Sequence, residues 1–264
     1  MAGSAAQALA AGDPARALAL VMEEVRAAPT ALAPRLALFR LACIEGQWDR
    51  ARRQLEAVAG LDPETAMFAR LYAGLIAAEA ERAAVVAGRS PPVTIGEPPA
   101  FVAHLARALA HDSRGEAAAA AAQRRSALEA AVAVPGELDG MAFAWLMDAD
   151  PRFGPCLELV VQGRYRWLPL ERLRTLASDG PRDLEDVVWL PVTLALEGGE
   201  EVAAHLPARY PGSESGSDPR ARLGRATLFD AAGHGLGGRL LTSDAGEHPL
   251  LALRRLRLGP HGDG

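Results

Sequence analysis

Four carboxylic acids stand close together near the middle of this sequence and could do chemistry. They are Asp139, Asp148, Asp150 and Glu158. Clustered carboxylates are the ligands that hard divalent cations prefer, and a pair of them can act as general acid and general base. The Asp148-x-Asp150 spacing is short and no calcium-loop pattern follows it, so it is not specific for a metal. Such acids more commonly cap helices, hold turns or pair with arginine, and the neighbouring basic residues are Arg152, Arg164 and Arg166.

No known catalytic or metal-binding motif accompanies these acids. The six histidines form neither an HxH nor an HxxxH pair, and the sequence has no GxSxG elbow, no Walker loop and no Cys–His signature. Residues 233–238 are glycine-rich but lack the strand-to-helix context of a phosphate loop, so we predict a hairpin loop there. Cys43 and Cys156 lie in apolar stretches and are expected to be buried thiols of a reducing compartment. We therefore expect no catalytic residue, no metal and no cofactor.

Size and charge exclude several classes of protein. The chain has 264 residues, half of them apolar, which is enough for one large domain or two small ones. No uncharged apolar run approaches about 18 residues, and no secretory signal is evident, so we expect a cytoplasmic protein without a membrane span. The net charge of −5 gives no reason to expect nucleic acid as a partner. All 28 basic residues are arginine, which indicates the codon bias of a GC-rich genome rather than a set of phosphate ligands.

The two halves of the chain differ in composition. Residues 1–135 contain 42 alanines and 8 glycines, whereas residues 136–264 contain 14 alanines and 18 glycines. Alanine favours helices and glycine interrupts them. We therefore predict an α+β protein with two domains. A tetratricopeptide-like (TPR-like) all-α repeat domain is expected over residues 1–135, followed by a mixed, mainly antiparallel β-containing domain over residues 136–264.

The first half repeats itself. Three residues, Gly12, Ala17 and Pro29, recur 34 residues later as Gly46, Ala51 and Pro63. Thirty-four residues is the period of TPR proteins, in which glycine forms the turn between two helices and alanine lies where they cross. A weaker third copy is predicted at Gly115 and Ala120. Such an array offers either a concave surface for a peptide or a scaffold for the second domain, and both interpretations stay open.

The second half is predicted to form strands and turns. Residues 164–168, 187–196 and 201–206 have the apolar and aromatic content of strands, and the last two are expected to pair across Gly198 and Gly199. Residues 171–177 are predicted to form a short helix, after Pro169 has ended the strand before it.

Residues 136–169 contain a long composite motif: G-x-x-D-G-x-x-F-x-W, then D-x-D-x-R-x-G-P, then E and G-x-Y-x-W-x-P. Its positions are Gly136, Asp139, Gly140, Phe143, Trp145, Asp148, Asp150, Arg152, Gly154, Pro155, Glu158, Gly163, Tyr165, Trp167 and Pro169. This motif resembles the hallmark of the ImpE/TagJ family of type VI secretion accessory proteins. Further matches at Trp189, Pro191 and residues 207–212 extend the resemblance over nearly the whole chain.

The resemblance implies a non-enzymatic partner of the contractile sheath. Members of the family bind the N-terminal helix of the small sheath subunit, TssB, and are linked to recycling of the contracted sheath by the AAA+ ATPase ClpV. No catalytic residue carries over from the family to this chain. The glycine, proline, arginine and acidic members of the motif are expected to fix the shape of the backbone rather than to touch a ligand.

Aromatic side chains are the candidates for contact with such a helix, because an amphipathic helix docks in a groove through a few buried anchors. The candidates are Trp145, Tyr165, Trp167, Trp189 and Tyr210. For each ring the alternative is packing in the core. Two other functions stay open: a general TPR adaptor unrelated to secretion, and a carboxylate-dependent metal-binding enzyme with a pocket where the four acids converge.

Overall fold

The computed structural model describes residues 3–259 and begins with three helical hairpins and one long helix. The helices are α1 (Gly3–Ala10), α2 (Pro14–Ala27), α3 (Leu32–Ile44), α4 (Trp48–Leu61), α5 (Ala66–Val86), α6 (Ala100–Asp112) and α7 (Ala117–Ala130). Helices α1 and α2, α3 and α4, and α6 and α7 pair as hairpins. Within residues 3–259, no helix is both long and apolar enough to cross a bilayer.

The predicted repeat is confirmed at its turns. Gly12 and Gly46 have φ of +81° and +63° between the paired helices, a conformation that other residues adopt only with strain. Ala17 and Ala51, one turn into the second helix of each hairpin, are fully buried. A side chain larger than methyl would hold these helices apart. The third copy follows the same rule, since Gly115 has a φ of +71°.

The C-terminal part is built from antiparallel strands. They are β1 (Gly136–Leu138), β2 (Met141–Phe143), β3 (Leu146–Asp148), β4 (Cys156–Val161), β5 (Arg164–Pro169), β6 (Leu173–Ala177), β7 (Trp189–Leu196), β8 (Glu201–Pro207), β9 (Thr227–Phe229), β10 (Gly235–Gly237), β11 (Leu240–Ser243), β12 (Gly246–Pro249) and β13 (Arg255–Leu258), with the short helix α8 (Pro219–Arg222) between β8 and β9. The main sheet has the order β2-β1-β13-β6-β7-β8-β4-β5. A three-stranded sheet, β12-β11-β3, and the β9–β10 hairpin complete an α+β fold.

The predicted helix at residues 171–177 is wrong. Leu170–Arg172 forms a single 3₁₀ turn, and the chain then enters β6, which pairs with β7 and β13. Leu173 and Leu176 are buried in the sheet core. Pairing on both edges of β6 overrides a local pattern that favours a helix.

Two hydrophobic clusters form the core, and one of them joins the two parts of the chain. This shared cluster contains Phe39 and Tyr72 from the helices together with Trp167 and Trp189 from the sheet. The Trp189 ring lies 5.7 Å from the ring of Trp48 and 6.2 Å from that of Tyr72. The second cluster lies wholly among the strands. Independent folding of residues 1–135 and 136–264 stays a prediction.

Helix α5 and the turn between β4 and β5 approach each other closely. A Cβ atom built on Gly74 would lie 3.1 Å from the Cα atom of Gly163. Gly163 has a φ of +73°, in the two-residue turn that joins the strands. Both residues are therefore glycine because two backbones meet there.

Replacing Gly60 and Gly74 by alanine should affect stability differently, because only Gly74 lies against another backbone. Gly60, in α4, has no heavy atom within 4 Å of a built Cβ, so Gly60→Ala should raise the free energy of unfolding by up to about 1 kcal/mol. Gly74→Ala should gain nothing or lose stability, because the same helical gain is opposed by the backbone of Gly163. Urea unfolding of both variants measures the difference. Equal stabilisation would show that α5 and the β4–β5 turn do not touch.

Candidate functional site

Two of the four acids, Asp148 and Glu158, meet at a buried arginine. Asp148 ends β3, Glu158 lies in β4, and Arg239 directly precedes β11. The Arg239 guanidinium bonds Asp148 through Nη1 and Glu158 through Nη2, and its Nε donates to the Pro207 carbonyl at 3.0 Å. All three charged side chains are essentially inaccessible to solvent. This is an ion-pair cluster inside the protein, not an open pocket.

A second arginine connects this cluster to the helices. Arg82 of α5 forms a bidentate pair with Glu158, with Nε 2.8 Å from Oε1 and Nη2 2.9 Å from Oε2. The same Nη2 donates to the Arg209 carbonyl at 2.8 Å. Tyr165 donates its hydroxyl proton to Glu158, and the Trp167 indole N–H donates to the Tyr165 oxygen at 2.6 Å. Helix α5 is thereby bonded to β4 and β5, the last two strands at one edge of the main sheet.

The cluster balances two anions with two cations in the buried interior of the protein. Burial raises the pKa of Asp148 to about 6, although Arg239 opposes this rise. Burial likewise lowers the pKa of Arg239 to about 10, against the opposing effect of Asp148. The Arg239 guanidinium also lies over two rings, 4.6 Å from the centre of Phe153 and 5.1 Å from that of Tyr210. Cation–π contacts of this kind partly replace the lost hydration.

The other two acids hold turns. Asp150 accepts from the Arg152 amide at 2.9 Å and from the Gly235 amide at 2.7 Å, and it also pairs with the Arg152 guanidinium. Asp139, in a left-handed conformation, accepts from the amides of Arg254 and Arg255 at 3.1 and 2.6 Å. Within residues 3–259, no three His, Cys, Asp or Glu residues are placed to hold a metal. Each of the four acids is thus held by arginine or by backbone amides.

The remaining motif residues lie at bends of the same region. Gly140, Gly154 and Gly163 all have positive φ. Gly154 accepts from the Asp148 amide at 2.8 Å, and the Pro155 carbonyl accepts from Leu170 at 2.9 Å. These contacts place β3 and the start of β4 around the ion-pair cluster.

Four of the five candidate aromatic residues are buried. Trp167 and Trp189 have no exposed surface, and Tyr165 and Tyr210 have almost none. The Trp189 indole donates to Glu79 of α5 at 2.8 Å. Trp145 alone of the five is partly exposed. Partner contact by these rings stays a prediction, and in this folded state only Trp145 presents surface for it.

Sequence reasoning missed the two arginines, Arg82 and Arg239. A signal for Arg82 was available, because Leu75, Ala78, Arg82 and Val85 follow the spacing of one buried helix face. A charge within such a stripe needs a buried partner. No comparable pattern marks Arg239, which lies between a glycine-rich hairpin and a short strand.

The C-terminal part of the chain contacts α1, α3 and α5. Arg209 donates to the Ile44 carbonyl at the C-terminal end of α3 at 2.9 Å, and Arg225 reaches the Leu9 carbonyl of α1 at 3.4 Å. Arg40 of α3 pairs with Glu185 at 2.6 Å. Seven of the thirteen residues of α3 are buried, between its neighbouring helices and residues 184–187. Repeat proteins commonly bind ligands on the inner face of the array, and here the chain's own loops contact those helices.

The buried cluster predicts a large cost for losing Arg239. Arg239→Ala should lower the free energy of unfolding by about 3–5 kcal/mol, because Asp148 loses its only arginine partner and Glu158 one of two. The control is Arg255→Ala, whose side chain is exposed and which should change stability by less than about 0.5 kcal/mol. Urea unfolding measures both. Equal effects would mean that the cluster contributes nothing.

The raised pKa of Asp148 predicts that the free energy of unfolding depends on pH. The folded-state pKa of Asp148, about 6, lies above 3.8, the usual pKa of an aspartate side chain, so the folded protein binds the proton more tightly than the unfolded chain. The contribution of Asp148 to stability is therefore largest below about pH 4 and is lost as the pH rises through about 6. Wild type should lose stability relative to Asp148→Asn across that interval, measured by urea unfolding at several pH values. A constant difference would contradict the raised pKa.

Comparison with known proteins supplies the family. The family model described as ImpE protein matches residues 140–257. The type VI secretion system accessory component TagJ of Pseudomonas aeruginosa PAO1 is 45% identical over 244 residues, which are 92% of this chain and 87% of TagJ.

The fold also matches a solved structure. The X-ray structure of protein VPA1032 from Vibrio parahaemolyticus superposes with a TM-score of 0.89 over 97% of both chains. Their sequences are 24% identical, so this match shows a shared fold. Because the identity to TagJ extends over both the helical and the strand-rich parts, the chain belongs to the ImpE/TagJ family of type VI secretion accessory proteins.

Proposed function

We propose that this chain binds the N-terminal helix of the small sheath subunit, TssB, and assists the ClpV-linked recycling of the contracted sheath. The observation that carries this proposal is the 45% identity to TagJ, an accessory component of type VI secretion, over 92% of the chain. The motif in residues 136–169 supports the same family role. A general adaptor unrelated to secretion has no comparable support, since the identity to TagJ extends over 92% of the chain.

The proposed role is binding without catalysis. Support comes from the four motif acids, each of which is held by arginine or by backbone amides. A general base needs an acceptor within reach of a substrate, and Asp148, Asp150 and Glu158, which are buried and ion-paired, do not offer one. The function then depends on surfaces that recognise other proteins.

We place this activity in the cytoplasm. Cys43 and Cys156 are both buried and unpaired. Free thiols are typical of reducing compartments. Burial raises the pKa of both thiols, so they stay protonated and unreactive at neutral pH.

The direct test is calorimetric titration of the full chain with a synthetic peptide of the cognate TssB N-terminal helix. Helix-in-groove recognition by a small apolar face predicts a dissociation constant on the order of micromolar. The control peptide has the same composition with its apolar residues redistributed around the helix, and it should not bind. No binding of the native peptide at high micromolar concentration would contradict the proposal.

The proposed link to ClpV makes a separate prediction. The chain, TssB and ClpV should co-purify as a ternary assembly, whereas TssB lacking its N-terminal helix should not recruit the chain. Recruitment of the chain to ClpV in the absence of TssB would instead indicate a direct partner.

A further inference from the structure

Helix α5 lies where the 34-residue repeat predicts the first helix of the next hairpin, but the turn of that hairpin does not form. One period of 34 residues after Gly46 the chain has Ala80, where the repeat requires its turn glycine. Helix α5 runs through this position and continues to Val86. The next two helices, α6 and α7, pair with each other instead. The place of a second helix against α5 is therefore not filled by the helix that follows it.

Two sides of α5 are covered by the rest of the chain. Phe68 and Tyr72 pack on Phe39 of α3, with ring centres 5.6 and 5.2 Å apart. Further along, the β4–β5 turn covers the helix at Gly74, and the Tyr165 amide donates to Glu81 at 3.0 Å. These contacts of the strand hairpin lie at Gly74 and beyond it, towards the C-terminal end of α5.

The N-terminal half of α5 keeps an apolar face exposed. Met67 is 83% exposed and Leu71, one turn later on the same face, is 44% exposed. Leu61, the last residue of α4, is 41% exposed. Three of the nine exposed large hydrophobic residues among residues 3–259 thus lie within eleven positions of each other. Repeat arrays normally end in a polar capping face, and this end is not polar.

The charges beside this face favour an acidic partner. Arg70 is exposed between Met67 and Leu71, and within the described part of the chain it has neither an ion pair nor a hydrogen-bonded partner. Glu64 is the nearest acid before the helix and is also exposed. A helix that packs on Met67 and Leu71 would meet the guanidinium of Arg70 at its edge.

We infer that the exposed face of α5, formed by Met67 and Leu71 with Leu61 beside it, is the docking site for the sheath-subunit helix. This inference rests on the proposed function. The occupant is an amphipathic helix with apolar residues at i, i+3 or i+4 spacing and an acidic residue facing Arg70. It lies along the first two turns of α5, before the part of the helix that the β4–β5 turn covers at Gly74.

The test uses full-length variants and a fluorescein-labelled peptide of the TssB N-terminal helix, with binding followed by anisotropy. Met67→Glu/Leu71→Glu should weaken binding at least about tenfold, because two charges would enter the apolar contact. The matched control is Leu128→Glu/Val132→Glu, a second pair four residues apart, with Leu128 in the last turn of α7 49% exposed and Val132, two residues after α7, 68% exposed. It should bind within about twofold of wild type. Arg70→Glu should weaken binding about threefold or more in low salt.

The outcomes separate the inference from the proposed function. If wild type and both double variants bind equally, the helix docks elsewhere and the inference is overturned, while the proposed function stands. If wild type does not bind the peptide, both the inference and the proposed function are overturned. If Met67→Glu/Leu71→Glu changes the oligomeric state without peptide, the face holds a second copy of the chain and the inference is overturned. If that variant unfolds by circular dichroism, Met67→Ala/Leu71→Ala carries the same test.

Discussion

The fold depends on the buried ion pairs among Arg82, Glu158, Arg239 and Asp148. Arg82 belongs to the helices, Glu158 to the main sheet, and Asp148 to the three-stranded sheet, with Arg239 beside it. Each acid would be costly to bury alone, and each arginine likewise, so the four groups are stable only when all the layers are assembled. The cluster therefore makes the relative position of helices and sheets a condition of folding. The motif acids that first suggested catalysis serve this assembly.

Assembly around this cluster decides which surfaces remain for partners. Packing α5 onto the sheet brings Trp189 against Trp48 and Tyr72 and directs Arg209 to the end of α3. Trp167, Trp189, Tyr165 and Tyr210 are buried by this packing. Met67 and Leu71, at the start of α5, are among the large apolar side chains that it leaves exposed.

The sequence pattern predicted the elements whose formation depends on residues that are close together in the chain. The hairpin turns at Gly12 and Gly46 and the β7–β8 pair could be predicted because a turn residue and its neighbours are adjacent in sequence. Strand β1 could not, since its three residues pair with Leu258 and its neighbours at the other end of the chain. Arg82 and Glu158 are 76 positions apart, and nothing near either residue identifies its partner. The prediction for residues 171–177 failed for a similar reason, because one of the two strands that pair with β6 is β13, at the far end of the chain.

Hydrogen–deuterium exchange of the full chain with and without the TssB helix tests the central claim most directly, because it reports every surface at once. Docking on a preassembled fold predicts slower exchange in the segment from the end of α4 to the first turns of α5. The same account predicts unchanged exchange in α3 and in residues 183–189, which pack against it. Faster exchange in residues 183–189 together with protection of α1 and α3 would contradict the account. It would mean that the C-terminal part moves away and that the partner binds the face it now covers.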